Sequence, residues 1–385
     1  MYMAPRKLGL TGVFCLLAVA ASAGGREPQP EIVMVAEARE PVVRNSEATM
    51  VELADGSLLM VWQEFERGVG DSDFFPGRLA AMVSGDGGRT WSGYRVLVAP
   101  DEGDINVFSP SLLRLPDGGI LLCFMRYHSF ERGRGKYPPA SAFAWLSSDE
   151  GRTFRPLATL WTEQRITLCS STLRRLSSGR SVLPVNWDSG GEGGSDHWQA
   201  GTYFSDDGGA TWQCCTNWVD LPRRGAMEPH VAELRDGRLL MVMRTQLGAI
   251  YRAYSSDGGQ TWSEAESLRI EAPESCPELV SLPGTGDLLL IWNASRYDPN
   301  WYSHFGKRTP LSACVSRDDG RTWSRPRHIE TDEDWAFSNP GVCFTSQGTA
   351  VINYWSCQYQ PSGAMSNYPI HLKAAIISIP WFYGH

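Results

Sequence analysis

Three arginines at the ends of predicted strands could together bind a carboxylate. They are Arg44, Arg244 and Arg308. A guanidinium group can hold a carboxylate through two parallel hydrogen bonds, so arginines fixed near one another suit an acidic ligand. A single arginine at a strand end is more often solvated or structural, whereas three in register with a repeated pattern favour a shared site. If one of the three lies elsewhere, the replacements are Arg126, Arg165 and Arg296.

The pattern that positions these arginines is an eight-residue repeat, Ser-x-Asp-x-Gly-x-Thr-Trp/Phe. Its five copies begin at Ser84, Ser147, Ser205, Ser255 and Ser316, which are 63, 58, 50 and 61 residues apart. Asp and Gly favour a tight turn, and Thr followed by an aromatic residue favours the start of a strand. A calcium loop would need oxygen ligands at alternating positions and a distal acid, which the copies lack. We therefore interpret each copy as a structural hairpin turn.

A two-strand hairpin precedes each repeat, and a sixth hairpin follows the last one. The six hairpins span residues 50–62, 111–123, 171–185, 231–243, 279–292 and 342–354. Together with the strands that flank each repeat, they predict six units of four strands, the pattern of a six-bladed β-propeller. In the sixth unit, which has no repeat, we expect residues 31–38 to supply the outer strand beside residues 371–379. Helix content should be low.

The eight-residue repeat resembles the Asp-box of the sialidase (neuraminidase) superfamily, and the resemblance covers nearly all of the chain after its N-terminal segment. It implies an all-β fold, a six-bladed β-propeller with five Asp-box hairpins, as one domain over residues 24–385. It also implies an exo-α-sialidase-like glycoside hydrolase that acts on terminal sialic acid or a related carboxylate-bearing sugar. The predicted partner is thus a glycan or glycoconjugate substrate.

The resemblance assigns roles to the charged residues. The family binds the substrate carboxylate with three arginines, and the matching residues here are Arg44, Arg244 and Arg308. An essential glutamate of the family stands sixteen residues before the second arginine, and Glu228 has that spacing from Arg244. The resemblance implies that Glu228 polarises the nucleophile.

The general acid/base of the family is an aspartate in the loop after the first hairpin. Asp71 and Asp73 both lie in that loop, and the sequence does not separate them. Either aspartate could instead only form the turn. Asp104, ahead of the inner strand of the second unit, is a third carboxylate that could face the same channel.

The nucleophile is where the sequence departs from the family. Family members carry a tyrosine in an Ala-Tyr-Ser-like stretch, and sialidases are the tyrosine exception among glycosidases. In residues 335–340 of this chain, Phe337 stands at that position and has no hydroxyl.

Three explanations of the missing phenol remain open. Tyr354, or a loop tyrosine such as Tyr302, could reach the site. Alternatively, Glu228, His230 or an aspartate could activate water in an inverting hydrolysis. In the third case catalysis is altered or lost, leaving a lectin-like, glycan-binding propeller.

The N-terminal segment and the composition indicate an exported protein. Arg6 and Lys7, an apolar run over residues 8–20 and a small-residue stretch over residues 21–23 predict a signal peptide over residues 1–23. We therefore expect a secreted or periplasmic protein with no membrane span. The formal net charge of −8 is unfavourable for nucleic-acid binding. We expect a monomer.

The cysteines do not predict a metal site. Eight cysteines follow the predicted signal peptide, and most lie singly within apolar strand patterns, which favours buried thiols over disulfides. The sequence contains neither Cys-x-x-Cys nor His-Glu-x-x-His, so we predict no zinc site and no cofactor.

Overall fold

Strands account for most of the regular structure of this chain. The computed structural model describes residues 29–129, 137–190, 195–301, 304–366 and 368–384. The predicted signal peptide and Tyr302 lie outside these residues. The short helical segments include two 3-10 turns, Ser72–Phe74 and Ile379–Tyr383. The expectation of an all-β chain is confirmed.

The strands alternate along the chain with short turns. The first half contains β1 (Glu31–Ala36), β2 (Val42–Glu52), β3 (Leu58–Glu66), β4 (Gly77–Ser84), β5 (Ser92–Val98), β6 (Asp104–Arg114), β7 (Ile120–His128), β8 (Ala140–Ser147), β9 (Arg155–Gln164), β10 (Ile166–Leu168), β11 (Arg174–Arg175), β12 (Ser181–Asp188) and β13 (Trp198–Ser205). The second half contains β14 (Gln213–Cys214), β15 (Met227–Glu233), β16 (Leu239–Arg244), β17 (Ala249–Ser255), β18 (Glu266–Glu271), β19 (Glu278–Ser281), β20 (Leu288–Asn293), β21 (Leu311–Ser316), β22 (Arg327–Glu330), β23 (Trp335–Phe344), β24 (Thr349–Gln358) and β25 (His371–Ser378).

These strands form an all-β propeller of antiparallel sheets. In the described part of the chain, three sheets have four strands (β15–β18, β19–β22, and β23–β25 with β1), one has five (β10–β14) and one has eight (β2–β9). The sequence predicts six separate blades, but hydrogen bonding gives five sheets. The reason is a single parallel pair, Gly77 with Asn106, which joins the four-stranded groups β2–β5 and β6–β9.

The first and last described strands complete one sheet. β1 pairs antiparallel with β25, with Glu31 opposite Ile376 and Val33 opposite Ala374. Residues 31–36 thus supply the outer strand that the sequence predicts for the unit without an eight-residue repeat.

Each Asp-box forms the same hydrogen-bonded turn. In the first copy, the Asp86 carboxylate accepts from Ser84 Oγ at 2.8 Å, from Thr90 N at 2.9 Å and from Thr90 Oγ1 at 2.6 Å. The aspartates of the other four copies accept from the corresponding Ser and Thr. The structural interpretation of the repeat therefore accounts for its polar side chains.

One glycine of each Asp-box packs against the preceding group of strands. A Cβ on Gly151 would lie 2.4 Å from Leu59 Cδ2 of β3, and one on Gly209 would lie 2.9 Å from the Leu121 side chain of β7. Gly88, in the first box, packs in the same way against Val351 of β24, in the last sheet. The sheets therefore follow one another in a closed ring.

The hydrophobic core lies between neighbouring sheets. One cluster joins Leu289 and Ile291 of β20 to Ile352 and Tyr354 of β24, all fully buried. All eight described cysteines are free thiols, and all but the half-buried Cys214 are buried. No described helix is long and apolar enough to cross a membrane.

Candidate functional site

Bulges in four inner strands direct side chains into one cavity of about 480 Å³. In each of β2, β6, β15 and β23, one shift of the pairing register contains a non-glycine residue with positive φ. These residues are Glu47 (φ 53°), Ser109 (φ 51°), Glu228 (φ 44°) and Asn339 (φ 50°), and all four line the cavity. Such backbone is strained outside glycine and is often found at functional sites.

The three predicted arginines line the same cavity. Arg44 and Arg308 are only 6% and 4% exposed. Arg44 donates to Ser72 Oγ at 2.9 Å and to Asp73 Oδ1 at 2.6 Å. Arg244 ends β16 and donates to Glu228 Oε1 at 2.9 Å and to a second glutamate, Glu274, at 3.0 Å.

Arg308 differs from the other two arginines because no described carboxylate lies within 4 Å of it. Its guanidinium donates to the Glu274 backbone oxygen at 3.2 Å, and its buried Nε has no described hydrogen-bond partner. Burial, together with the neighbouring Arg244, lowers the pKa of Arg308. A buried cation in this state is stabilised by an added anion.

The two aspartates of the first loop have different environments in the structure. Asp71 is exposed and caps the 3-10 turn, where it accepts from the Asp73 backbone N–H at 3.1 Å. The Asp73 side chain is 46% exposed and pairs with Arg44. Both line the cavity, but Asp73 is directly coupled to an arginine of the site.

A fourth arginine, Arg224, also lines the cavity and was not predicted. It forms an ion pair with Asp196 at 2.6 Å and another with Glu274, and it donates to the Tyr137 hydroxyl at 3.3 Å. Burial would raise the pKa of Glu274, but Arg244 and Arg224 outweigh it and lower that pKa. Arg224 follows Arg223 in the segment before β15, and nothing in the local sequence distinguishes the two.

Phe337 and Tyr354 both face the core, and neither lines the cavity. Phe337 is fully buried, with its ring centroid 5.9 Å from that of Tyr354. The Tyr354 hydroxyl donates to Glu330 Oε1 at 2.9 Å. On β23, the cavity is instead reached by Asn339, two residues after Phe337. The structure therefore brings together six of the seven predicted site residues and leaves Tyr354 apart.

Other residues considered from the sequence also lie outside the cavity lining. His230 is fully buried beside Cys276 and Glu278. Asp104 pairs with His128 at 2.6 Å. The three replacement arginines, Arg126, Arg165 and Arg296, do not line it either. In the part of the chain that the structure describes, no group of three or more His, Cys, Asp and Glu could hold a metal ion.

Comparison with known proteins places this architecture in a family. Residues 109–352 match the model of the BNR repeat-like domain. A sialidase of Bacteroides fragilis is 31% identical over 148 residues, which are 36% of this chain and 25% of the relative. The chain thus matches about a quarter of the length of that curated relative.

Solved structures share the fold at low sequence identity. A Dyadobacter fermentans protein of unknown function superposes with a TM-score of 0.69 at 18% identity, covering 91% of this chain and 100% of that chain. The NanB sialidase of Streptococcus pneumoniae gives a TM-score of 0.70 at 15% identity, covering 91% and 71%. The intramolecular trans-sialidase of Ruminococcus gnavus gives 0.68 at 16%, covering 87% and 94%. With its Asp-boxes, its sheets and the BNR match over more than half its length, the chain belongs to the BNR repeat-like, sialidase-type propeller superfamily.

Proposed function

We propose that the protein is a glycoside hydrolase of the sialidase type. It removes a terminal sugar that bears a carboxylate, with sialic acid as the first candidate. The proposal is supported by a cavity of suitable size that combines fixed cations with carboxylates able to move protons.

The observation that carries this proposal is that Arg308 is buried and has no carboxylate partner among the described residues. A buried guanidinium without a carboxylate partner is unfavourable unless a ligand supplies the anion. Arg44 and Arg244 line the same cavity, so a substrate carboxylate can bridge the three. Each charge-assisted hydrogen bond would contribute about 1.5–3 kcal/mol.

Asp73 is the better of the two candidates for the general acid. Its side chain lines the cavity and is partly exposed, and the leaving group of an exo-acting enzyme must emerge toward solvent. One oxygen of Asp71 is used to cap its own turn. Glu228 keeps one oxygen on Arg244, while its other oxygen has no partner among the described residues.

The rival proposal is a glycan-binding propeller without turnover. It is favoured by the position of Phe337, which places no phenol where the family has its nucleophile and turns its ring into the core. The two proposals agree on ligand binding and differ in hydrolysis.

We propose three further properties of the chain. The four-stranded groups β2–β5 and β6–β9, with the four other sheets, would make six blades of one domain over residues 24–385. The protein would be exported after removal of residues 1–23. It would act as a monomer.

Calorimetry with the 2,3-unsaturated analogue of sialic acid tests the ligand binding that the proposed function requires, and release of nitrophenol from a nitrophenyl sialoside tests hydrolysis. We expect the wild type to bind and Arg308→Ala to bind at least roughly tenfold more weakly, because its hydrogen bonds to the carboxylate are lost. Arg155→Ala, at an exposed arginine, is the matched control and should bind normally. Arg308→Lys keeps the positive charge but cannot make the two parallel hydrogen bonds of a guanidinium, so it replaces the alanine variant in the test if that variant does not fold. No binding by the wild type at millimolar analogue would refute the proposal.

A further inference from the structure

Glu47 is a buried carboxylate of the cavity to which the proposed function gives no role. It lies at the bulge of β2, three residues after Arg44, and only 6% of it is exposed. Its bulge corresponds to the one that carries Glu228 on β15. A carboxylate buried at such a position is costly unless the site uses it.

One carboxylate oxygen of Glu47 accepts hydrogen bonds from the described residues, and the other accepts none. Ser170 Oγ donates to Oε2 at 3.1 Å, and Asn339 Nδ2 donates to the same oxygen at 3.0 Å. The other oxygen, Oε1, lies 3.8 Å from Arg44 Nη2 and accepts no hydrogen bond from the described residues. The carboxylate is therefore fixed in orientation, with one oxygen available to a small ligand.

Glu47 and Asp73 lie on two sides of the Arg44 guanidinium. Asp73 contacts Nη1 and is partly exposed, whereas Glu47 faces Nη2 and is buried. A sugar whose carboxylate is bound by Arg44 would thus meet one partly exposed acid, Asp73, and one buried acid, Glu47. Inverting glycosidases use two carboxyl groups about 6.5–9.5 Å apart, on opposite faces of the sugar.

Several charged and titratable groups act on Glu47 from the elements packed around it. Burial raises the pKa of Glu47 to about 7; Arg44 acts against this rise, and Glu228 and Asp73 add to it. These groups include Arg44 on β2, Asp73 on the 3-10 turn, Cys169 after β10, Glu228 on β15 and Cys276 before β19. A base that is half ionised near neutral pH is well matched to proton abstraction.

We propose that Glu47 is the general base that activates a water molecule for direct displacement at the anomeric carbon. The proposal rests on the proposed function. The water oxygen bonds to the anomeric carbon as its proton passes to Glu47 Oε1, and the bond from that carbon to the aglycone oxygen breaks. With an alkyl aglycone, Asp73 gives its proton to the departing oxygen; a nitrophenolate departs without one. The sugar is released with inverted configuration, and exchange with solvent restores both carboxyl groups.

The test uses the full-length protein and a nitrophenyl sialoside. Because this leaving group needs no proton, the rate reports on the base. We expect the wild-type rate to rise with pH through about 7, and proton NMR of the first product to show inversion. Glu47→Gln should lower kcat by roughly a hundredfold to ten-thousandfold with little change in KM. It should also lose the pH dependence, and azide should restore turnover by forming a glycosyl azide of inverted configuration.

Two variants and one binding measurement keep the outcomes distinct. Glu47→Asp retains a carboxylate and should keep part of the activity, while Glu102→Gln, at an exposed glutamate, should behave as wild type. Glu47→Gln should still bind the unsaturated analogue, which shows that it is folded. Retention of configuration or an unchanged kcat in Glu47→Gln overturns the role of Glu47 alone. Analogue binding by a wild type without turnover overturns both that role and the hydrolase, and leaves the glycan-binding propeller. A wild type that does not bind the analogue overturns the proposed function as well.

Discussion

Arg244 and Glu228 form an ion pair across the β15–β16 hairpin, with 2.9 Å between Arg244 Nη1 and Glu228 Oε1. Their backbone positions are set by the pairing of Met227 with Arg244, next to the bulge that carries Glu228. The pair connects a predicted carboxylate-binding arginine to a predicted catalytic glutamate. Changes to either residue should therefore affect ligand handling more than folding.

Replacing Glu228 by glutamine should reduce turnover strongly while leaving the fold intact. The amide oxygen can still accept from Arg244, and Glu274 still supplies that arginine with a negative charge, but the charge of Glu228 itself is gone. We expect kcat to fall at least roughly a hundredfold and the melting temperature to change little. A nitrophenyl sialoside assay and thermal unfolding measure the two effects. Normal turnover in Glu228→Gln would remove this residue from the mechanism.

Replacing Glu274 by glutamine should destabilise the protein. Glu274 is 2% exposed, and its carboxylate pairs with both Arg224 and Arg244. Because the change leaves two largely buried guanidiniums short of negative charge, we expect a loss of about 3–5 kcal/mol in the free energy of unfolding. Urea denaturation measures it, with the exposed Glu264→Gln as the control. Equal stability of the two variants would contradict this role.

Asp86→Ala should lower the melting temperature without weakening ligand binding. The substitution removes the acceptor for Ser84 and for the backbone and hydroxyl of Thr90. Asp86 is not among the cavity-lining residues, so calorimetry on the folded variant should give the wild-type affinity. If binding were lost in a variant that melted normally, the Asp-box would have a direct functional role.

The Asp-boxes should also make stability depend on acid pH. Hydrogen bonds from the following threonine, and then other bonds within the turn, lower the pKa of Asp86, Asp149 and Asp207 to about 2. An ordinary aspartate has a pKa near 3.9. Since the folded pKa is depressed, this stabilisation is present above about pH 4 and is lost as pH falls toward 2. Melting temperatures measured from pH 6 to 2 should show the loss, and Asp86→Asn should reduce its steepness.

Two alanine variants separate the two ways in which an Asp-box glycine contributes to stability, its close packing and its positive φ. Gly151 (φ 72°) would place a new Cβ 2.4 Å from Leu59 Cδ2, whereas Gly56 (φ 82°) has nothing within 4 Å. Both alanine variants carry the cost of positive φ, about 1–2 kcal/mol. Gly151→Ala should lose about 1–3 kcal/mol more through overpacking. Chemical denaturation of both variants tests this difference. Equal losses would show that the Leu59 side chain can move aside without a cost in stability.

Most of the fold could be predicted because its signals are local. The Asp-box turn is encoded within eight residues, and strand hairpins alternate with it at regular spacing. Even the pairing of β1 with β25 followed from a missing strand in the last unit. Hydrogen bonding gives five sheets rather than six because one pair, Gly77 with Asn106, links two groups of strands and has no sequence signal.

Cavity-lining residues could be predicted where a residue keeps a fixed relation to a repeat. Arg44, Arg244 and Arg308 do so, and they line one cavity. The sequence did not predict that the Phe337 side chain lies on the core side of β23. A bulge between Ser338 and Gly341 interrupts the alternation of side chains along this strand. Glu47 was missed since its environment is built by Ser170 and Asn339, which are 123 and 292 residues away in the sequence.

The pairing of β1 with β25 can form only late in synthesis, because the two strands lie near opposite ends of the described chain. β1 is an edge strand whose described partner is β25, so the ribosome makes it more than three hundred residues before that partner exists. Until then its backbone groups are unpaired, and Ile32 and Met34 remain partly exposed even after folding. A neighbouring nascent chain offers the same hydrogen bonds as the chain's own β25. At high chain concentration, exchange of this strand between two molecules would give a domain-swapped pair, each ring closed by the other's first strand.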